Sequence, residues 1–140
     1  MPVIALAPET HATVAARLTD SAWCVACLCA AWCDVCGHFR SSFEFLAEQH
    51  PQMTFVWIDI EDEADLVGDV DVENFPTLLI QQADQVTFFG TVEPDVDAIH
   101  RLIQAYARQP HTTSASGRQD SSHRPNLRAR LRKASGRLDA

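Results

Sequence analysis

Two cysteines three residues apart, Cys33 and Cys36, lie in the segment Trp32-Cys33-Asp34-Val35-Cys36. An apolar run over residues 22–30, AWCVACLCA, leads into them. A segment with Phe39, Phe43 and Leu46 on one helical stripe follows. Cysteines at i and i+3 around a helix start either stand as a dithiol or close into a disulfide. A helix N-terminus favours an anion, so the first thiol is the better nucleophile and the second, one turn in, suits a resolving role. Such a pair can carry out thiol–disulfide exchange.

The chain has five cysteines, and all of them, Cys24, Cys27, Cys29, Cys33 and Cys36, fall within 13 residues. A disulfide framework spreads its cysteines to staple distant loops, which this cluster cannot do. Cys24, Cys27 and Cys29 sit in the apolar run and read as small buried residues. On a strand Cys24 and Cys27 point to opposite faces, whereas Cys27 and Cys29 share one. A different chemistry remains open at this point: Cys27 could complete a thiolate site with Cys33 and Cys36 for zinc or an iron–sulfur cluster.

The elements that must hold these residues alternate. Residues 3–6 suit an edge strand and residues 8–18 a helix. Residues 22–30 are apolar on both faces, as in a central strand covered on both sides. Residues 36–49 suit a helix, with Gly37 in its first turn, and residues 53–60 form a β-branched and aromatic strand. A short helix is expected near residues 64–68. Residues 77–81 and 85–89 read as a hairpin, and residues 94–108 as a helix burying Val96, Ile99, Leu102, Ile103 and Tyr106. The order β-α-β-α-β-α-β-β-α makes an α/β domain, a mixed sheet with helices on both faces. His38, two residues after Cys36, could tune the thiolates or stand as a surface helix residue, whereas His11, His50 and His100 show no partner spacing.

Charge divides the 140 residues. The formal −8 combines −13 over residues 1–108 with +5 over residues 109–140. The second segment has no Val, Ile, Phe, Trp, Tyr, Met or Cys and seven Ser or Thr, so a mobile basic tail is expected after a domain of residues 1–108. Leu127, Leu131, Ala134 and Leu138 recur at helical spacing among five basic residues, a short amphipathic helix that could form against something acidic. The acidic run over residues 61–73 could receive a basic partner, the chain's own tail included. The acidic balance speaks against a nucleic-acid partner. No apolar run is long enough to span a membrane. Residues 1–6 lack the features of a signal peptide, so a cytoplasmic location is expected.

Ala31-Trp32-Cys33-Asp34-Val35-Cys36, then Asn74-Phe75-Pro76-Thr77-Leu78-Leu79-Ile80 about 40 residues later, with Gly90 after the last strand, resemble the thioredoxin family over residues 1–108. The resemblance implies the thioredoxin fold, with Cys33 as nucleophile and Cys36 as resolving thiol in a redox-active Cys33–Cys36 pair and no further cofactor. It also implies that Trp32, Asp34 and Val35 flank the site, that Pro76 is a cis-proline facing the dithiol, and that Phe75 pairs with the substrate backbone. The expected partners are protein disulfides and a thioredoxin reductase or other thiol donor, and the expected state is a monomer.

The departures concern tuning. Gly-Pro, usual between the family's cysteines, is Asp34-Val35 here, and a carboxylate beside Cys33 opposes thiolate formation. The family's buried Asp falls at Cys27 and its Lys partner at Trp57, so both members of the ion pair are gone together. Asp59, on the same strand face as Trp57, could stand in as a base. The family's kinking proline in the following helix is also missing, with Ser41 near its place. Two readings of function follow. One is an oxidoreductase reducing protein disulfides. The alternative is a thioredoxin-like binding or chaperone module with a basic targeting tail.

Overall fold

In the computed structural model the described residues are 3–19, 22–30, 32–70, 72, 74–108 and 125–139. Five strands form one mixed sheet in the order β1-β3-β2-β4-β5. They are β1 (Val3–Ala5), β2 (Trp23–Cys29), β3 (Thr54–Asp59), β4 (Thr77–Gln82) and β5 (Gln85–Thr91). β3 runs parallel to both β1 and β2, whereas β4 is antiparallel to β2 and to β5. β2 is therefore paired on both edges, and six of its seven residues are buried, as its unbroken apolar run requires.

Strand periodicity splits the core in two. Cys24, Ala26, Leu28, Val56, Ile58 and Leu79 face one side. Val25, Cys27, Cys29, Phe55, Leu78 and Ile80 face the other. Helices cover both. On the second side are α2 (Asp34–Gln49), through Phe39, Phe43 and Leu46, and α4 (Val96–Arg108), through Ile99 and Ile103. Each of these side chains is fully shielded, worth about 1.5–3 kcal/mol of transfer free energy apiece. On the first side are α1 (His11–Arg17), entered through a 3-10 turn at Pro8–Thr10, and the short α3 (Ala64–Val67). The β4–β5 hairpin turns at Ala83, whose φ of 53° is left-handed and costs a non-glycine residue about 1–2 kcal/mol. The Ala83 carbonyl accepts from the Gln81 side-chain amide at 2.7 Å, which helps hold that turn.

A fifth helix, α5 (Leu127–Asp139), corrects the expectation of a mobile tail from residue 109 onward. Residues 109–124 lie outside the described residues, but Leu127 and Leu131 are buried in the same core cluster as Val14, Leu18, Leu66 and Val67, with Ala134 packed alongside. The spacing of Leu127, Leu131 and Ala134 makes one apolar stripe, and the uncovered face of the sheet and α1 receives it. The polar side of α5 meets the acidic surface of the domain. Arg130 donates to both carboxylate oxygens of Asp69, at 2.7 and 3.1 Å, and to the Leu66 carbonyl at 2.9 Å. Arg128 pairs with Asp84 at 3.4 Å. Two of the tail's basic residues are thus engaged by the chain's own domain.

Candidate redox site

The site forms where β2 ends and α2 begins. Cys33 is the N-cap of α2, with extended backbone angles of −90° and 119°, and its carbonyl accepts the Gly37 N–H at 3.1 Å. Its own N–H reaches back to the Ala30 carbonyl at 3.0 Å, fixing the turn between strand and helix. Its thiol thus stands partly exposed at the positive end of a 16-residue helix. Cys36, in the first turn, is buried at 2% exposure.

The second half of the site comes from the start of β4. The Phe75–Pro76 peptide is cis, as the resemblance implied. The Thr77 hydroxyl donates to the Asn74 carbonyl at 2.7 Å, and the Pro76 carbonyl accepts from Val92 at 3.0 Å. Leu28 pairs with Thr77 across the β2–β4 ladder, so Cys29 and Pro76, the next residues outward, share one end of the sheet. Phe75 and Cys33 pack against the same core cluster. Trp32 is 65% exposed. Its ring meets that of Phe75 edge-on, with centroids 5.7 Å apart, and its Nε1–H donates to Glu61 at 2.9 Å. Trp32 and Val35 leave an apolar surface beside Cys33, with Asp34 exposed between them.

The sulfurs are arranged differently from the expected pair. Cys36 is disulfide-bonded to Cys29, with Cα atoms 5.7 Å apart, while Cys33 is a free thiol. Cys29 had read as an inert strand residue, and that reading is corrected. It is the last residue of β2 on the face that α2 covers, so its side chain meets the first turn of the helix. The signal was available in the alternation of Cys27 and Cys29 toward the side occupied by Cys36, but a strand's end cannot be set against a helix's first turn from sequence alone.

Cys27 Sγ lies 3.6 Å from Cys29 Sγ. Burial foremost pushes the Cys27 thiol strongly upward, against a smaller downward pull from Arg40, so it stands as a neutral thiol and not as a base. Arg40 lies over the Trp57 ring, 4.9 Å from its centroid. A cation therefore sits beside the position the family gives to lysine, contributed by α2 instead of by β3. The Asp59 carboxylate turns to the backbone. Its Oδ1 accepts the N–H groups of Glu61 and Asp62, at 2.9 and 3.1 Å, closing the turn after β3. Among the described residues no group of three or more His, Cys, Asp or Glu could hold a metal ion.

The family model described as Thioredoxin matches residues 3–105. The chain belongs to the thioredoxin family. A thioredoxin from Ophiophagus hannah is 33% identical over 48 residues, which are 34% of this chain and 46% of that protein. The match therefore spans about half the length of that relative. Among solved structures, a poplar thioredoxin h superposes with a TM-score of 0.68 at 20% identity, over 79% of this chain and all of the other. A mutant thioredoxin from Halobacterium salinarum gives 0.63 at 23% identity, over 77% of this chain and 93% of the other. These structures share the thioredoxin fold with the chain, and α5 lies beyond the stretch the family model matches. Family membership supports a thiol–disulfide oxidoreductase. No helix among the described residues is long and apolar enough to cross a membrane.

Proposed function

We propose that this chain is a thiol–disulfide oxidoreductase that reduces protein disulfides through Cys33 and Cys36. The observation that carries the reading is the partly exposed Cys33 thiol at the N-terminus of α2, at the sheet end where the cis Phe75–Pro76 bond opens β4. In the reduced chain the Cys33 thiolate attacks one sulfur of a substrate disulfide. The substrate's other sulfur leaves as a thiolate and takes up a proton. The Cys36 thiolate then attacks Cys33 Sγ, releasing the substrate's second thiol and leaving a Cys33–Cys36 disulfide. Two electrons pass from the chain to the substrate, and the two sulfurs carry them without an organic cofactor.

Return to the dithiol needs an external thiol donor. One structural relative, a thioredoxin f2, was solved in complex with ferredoxin:thioredoxin reductase, and a thioredoxin reductase is the donor class proposed here. A reducing compartment such as the cytoplasm would keep the pair in its working state, and the proposed chain works as a monomer. Insulin reduction tests the reading. Cys33→Ser abolishes turnover, and Cys36→Ser accumulates a mixed disulfide at Cys33. Full insulin-reducing activity in the Cys33→Ser chain would end it.

A further inference from the structure

We propose that Cys29 is a third redox residue of this site, competing with Cys33 for the sulfur of Cys36. The oxidised chain then holds its disulfide either at the surface, as Cys33–Cys36, or in the interior, as Cys29–Cys36. The proposal rests on the reading of Cys33 as nucleophile and Cys36 as resolving thiol.

Cys36 is approached from two sides. Cys29 reaches it from the end of β2, and the two are joined in the structure. Cys33 precedes it by one helical turn, and residues three apart on a helix are neighbours on its surface. Cys29 and Cys36 are almost completely buried, at 1% and 2% exposure, whereas Cys33 is partly open. A protein substrate therefore reaches Cys33, and Cys33 alone among the three connects the interior disulfide to the outside. Cys27 adds a second observation. With Cys29 in a disulfide, the Cys27 thiol is the only possible donor across the 3.6 Å contact between them. It is thus poised to donate to Cys29 when that sulfur leaves as an anion, and a better-stabilised leaving thiolate speeds exchange.

The step balances without an outside oxidant. After a turnover leaves Cys33–Cys36, the Cys29 thiol gives up its proton and attacks Cys36 Sγ. The Cys29–Cys36 bond forms, the Cys33–Cys36 bond breaks, and Cys33 departs as a thiolate that takes up a proton. No electrons are gained or lost. The disulfide has moved inward, and the oxidised chain presents a free nucleophile at its surface. The reverse step returns the disulfide to where a reductase can reach it.

The test follows the disulfide after it enters through Cys33. The reduced full-length chain is oxidised by excess insulin, pulsed with N-ethylmaleimide in native buffer, quenched in acid and digested with pepsin, and the modified and bridged peptides are sequenced by fragmentation. The expected result is a growing population labelled on Cys33 and bridged Cys29–Cys36. Cys29→Ala should remain bridged Cys33–Cys36 and unlabelled at Cys33. Wild-type chains that stay bridged Cys33–Cys36 and unlabelled at Cys33, as in the Cys29→Ala chain, would overturn the proposal. Should Cys29→Ala not fold, Cys29→Ser decides the same point. It should stay bridged Cys33–Cys36 and unlabelled at Cys33, and labelling of Cys33 in a bridged Cys29→Ser chain at the wild-type rate would overturn the proposal. The underlying reading fails separately, if insulin oxidises the Cys33→Ser chain as fast as the wild type.

Discussion

The Gln81 side chain on the buried face of β4 is bonded to Asn126 at the start of α5. Its Nε2 donates to Asn126 Oδ1 at 2.7 Å, and its Oε1 accepts the next backbone N–H, that of Leu127, at 2.9 Å. Asn126 also caps the helix, accepting the Ala129 N–H at 3.1 Å, and donates to the Asp84 carbonyl at 3.1 Å. One amide pair therefore ties a central strand, a hairpin turn and a helix remote in sequence.

This tie makes α5 part of the folding unit. Asn126→Ala removes the cap and leaves the buried Gln81 amide short of a partner, with an expected loss of about 1–2 kcal/mol. Leu131→Ala empties a fully buried position and should cost about 2–5 kcal/mol. Urea unfolding of the full chain measures both. Midpoints unchanged from the wild type would show that α5 contributes nothing to stability.

Acid should weaken the fold through His50. Its Nε2 lies 3.0 Å from His100 Nδ1, and its ring stacks on Phe55. Burial foremost, and then the neighbouring His100, hold its pKa below the ordinary 6.5. A histidine lowered in the folded state leaves the unfolded chain with more bound protons as pH falls past 6.5. Its contribution is complete above that value and is lost progressively below it, down to the folded-state pKa. A His50→Phe chain should show a flatter dependence of unfolding free energy on pH below 6.5. An identical slope in both proteins would contradict this.

Trp32 should matter for substrate capture more than for thiol reactivity. Its edge-on contact with Phe75 is worth about 0.5–1.5 kcal/mol beyond area burial. Trp32→Ala should lower kcat/KM for insulin by roughly two- to twelvefold, the conversion of that energy. The rate of Cys33 alkylation by iodoacetamide should change less than about twofold, since the Trp32–Phe75 ring pair does not involve the sulfur. A fall in alkylation as large as the fall in turnover would place Trp32 in thiol activation instead.

Gly37 is a stabilising target. A Cβ built at Gly37 meets nothing within 4 Å, and the position lies in the first turn of α2. Gly37→Ala should raise stability by up to about 1 kcal/mol, read from thermal or urea unfolding.

Cys24 should be silent in the native protein. It is completely buried on the sheet face away from the site, and burial pushes its thiol up to about 12. Iodoacetamide at neutral pH should leave Cys24 unmodified until denaturant is added. Modification at the rate of Cys33 would show that this face of the sheet opens.

The sequence by itself determined the reactive elements. The apolar run of β2 requires burial on both faces, the Trp32–Cys36 segment places two thiols at a helix start, and Asn74–Ile80 supplies the proline opposite. These signals are local, because each depends on the period of one strand or the first turn of one helix. Leu127, Leu131 and Ala134 likewise set an apolar stripe, but a stripe does not name the surface that receives it. Tertiary structure decided that α5 docks on its own domain, through Gln81 and Asp69. It also paired His50 with His100, 50 residues apart, and laid Arg40 over Trp57. Above all it decided which sulfur Cys36 meets. Spacing favours Cys33, but a thiol bonds to whatever thiol the packing of strand against helix brings within reach, and that packing also brings Cys29.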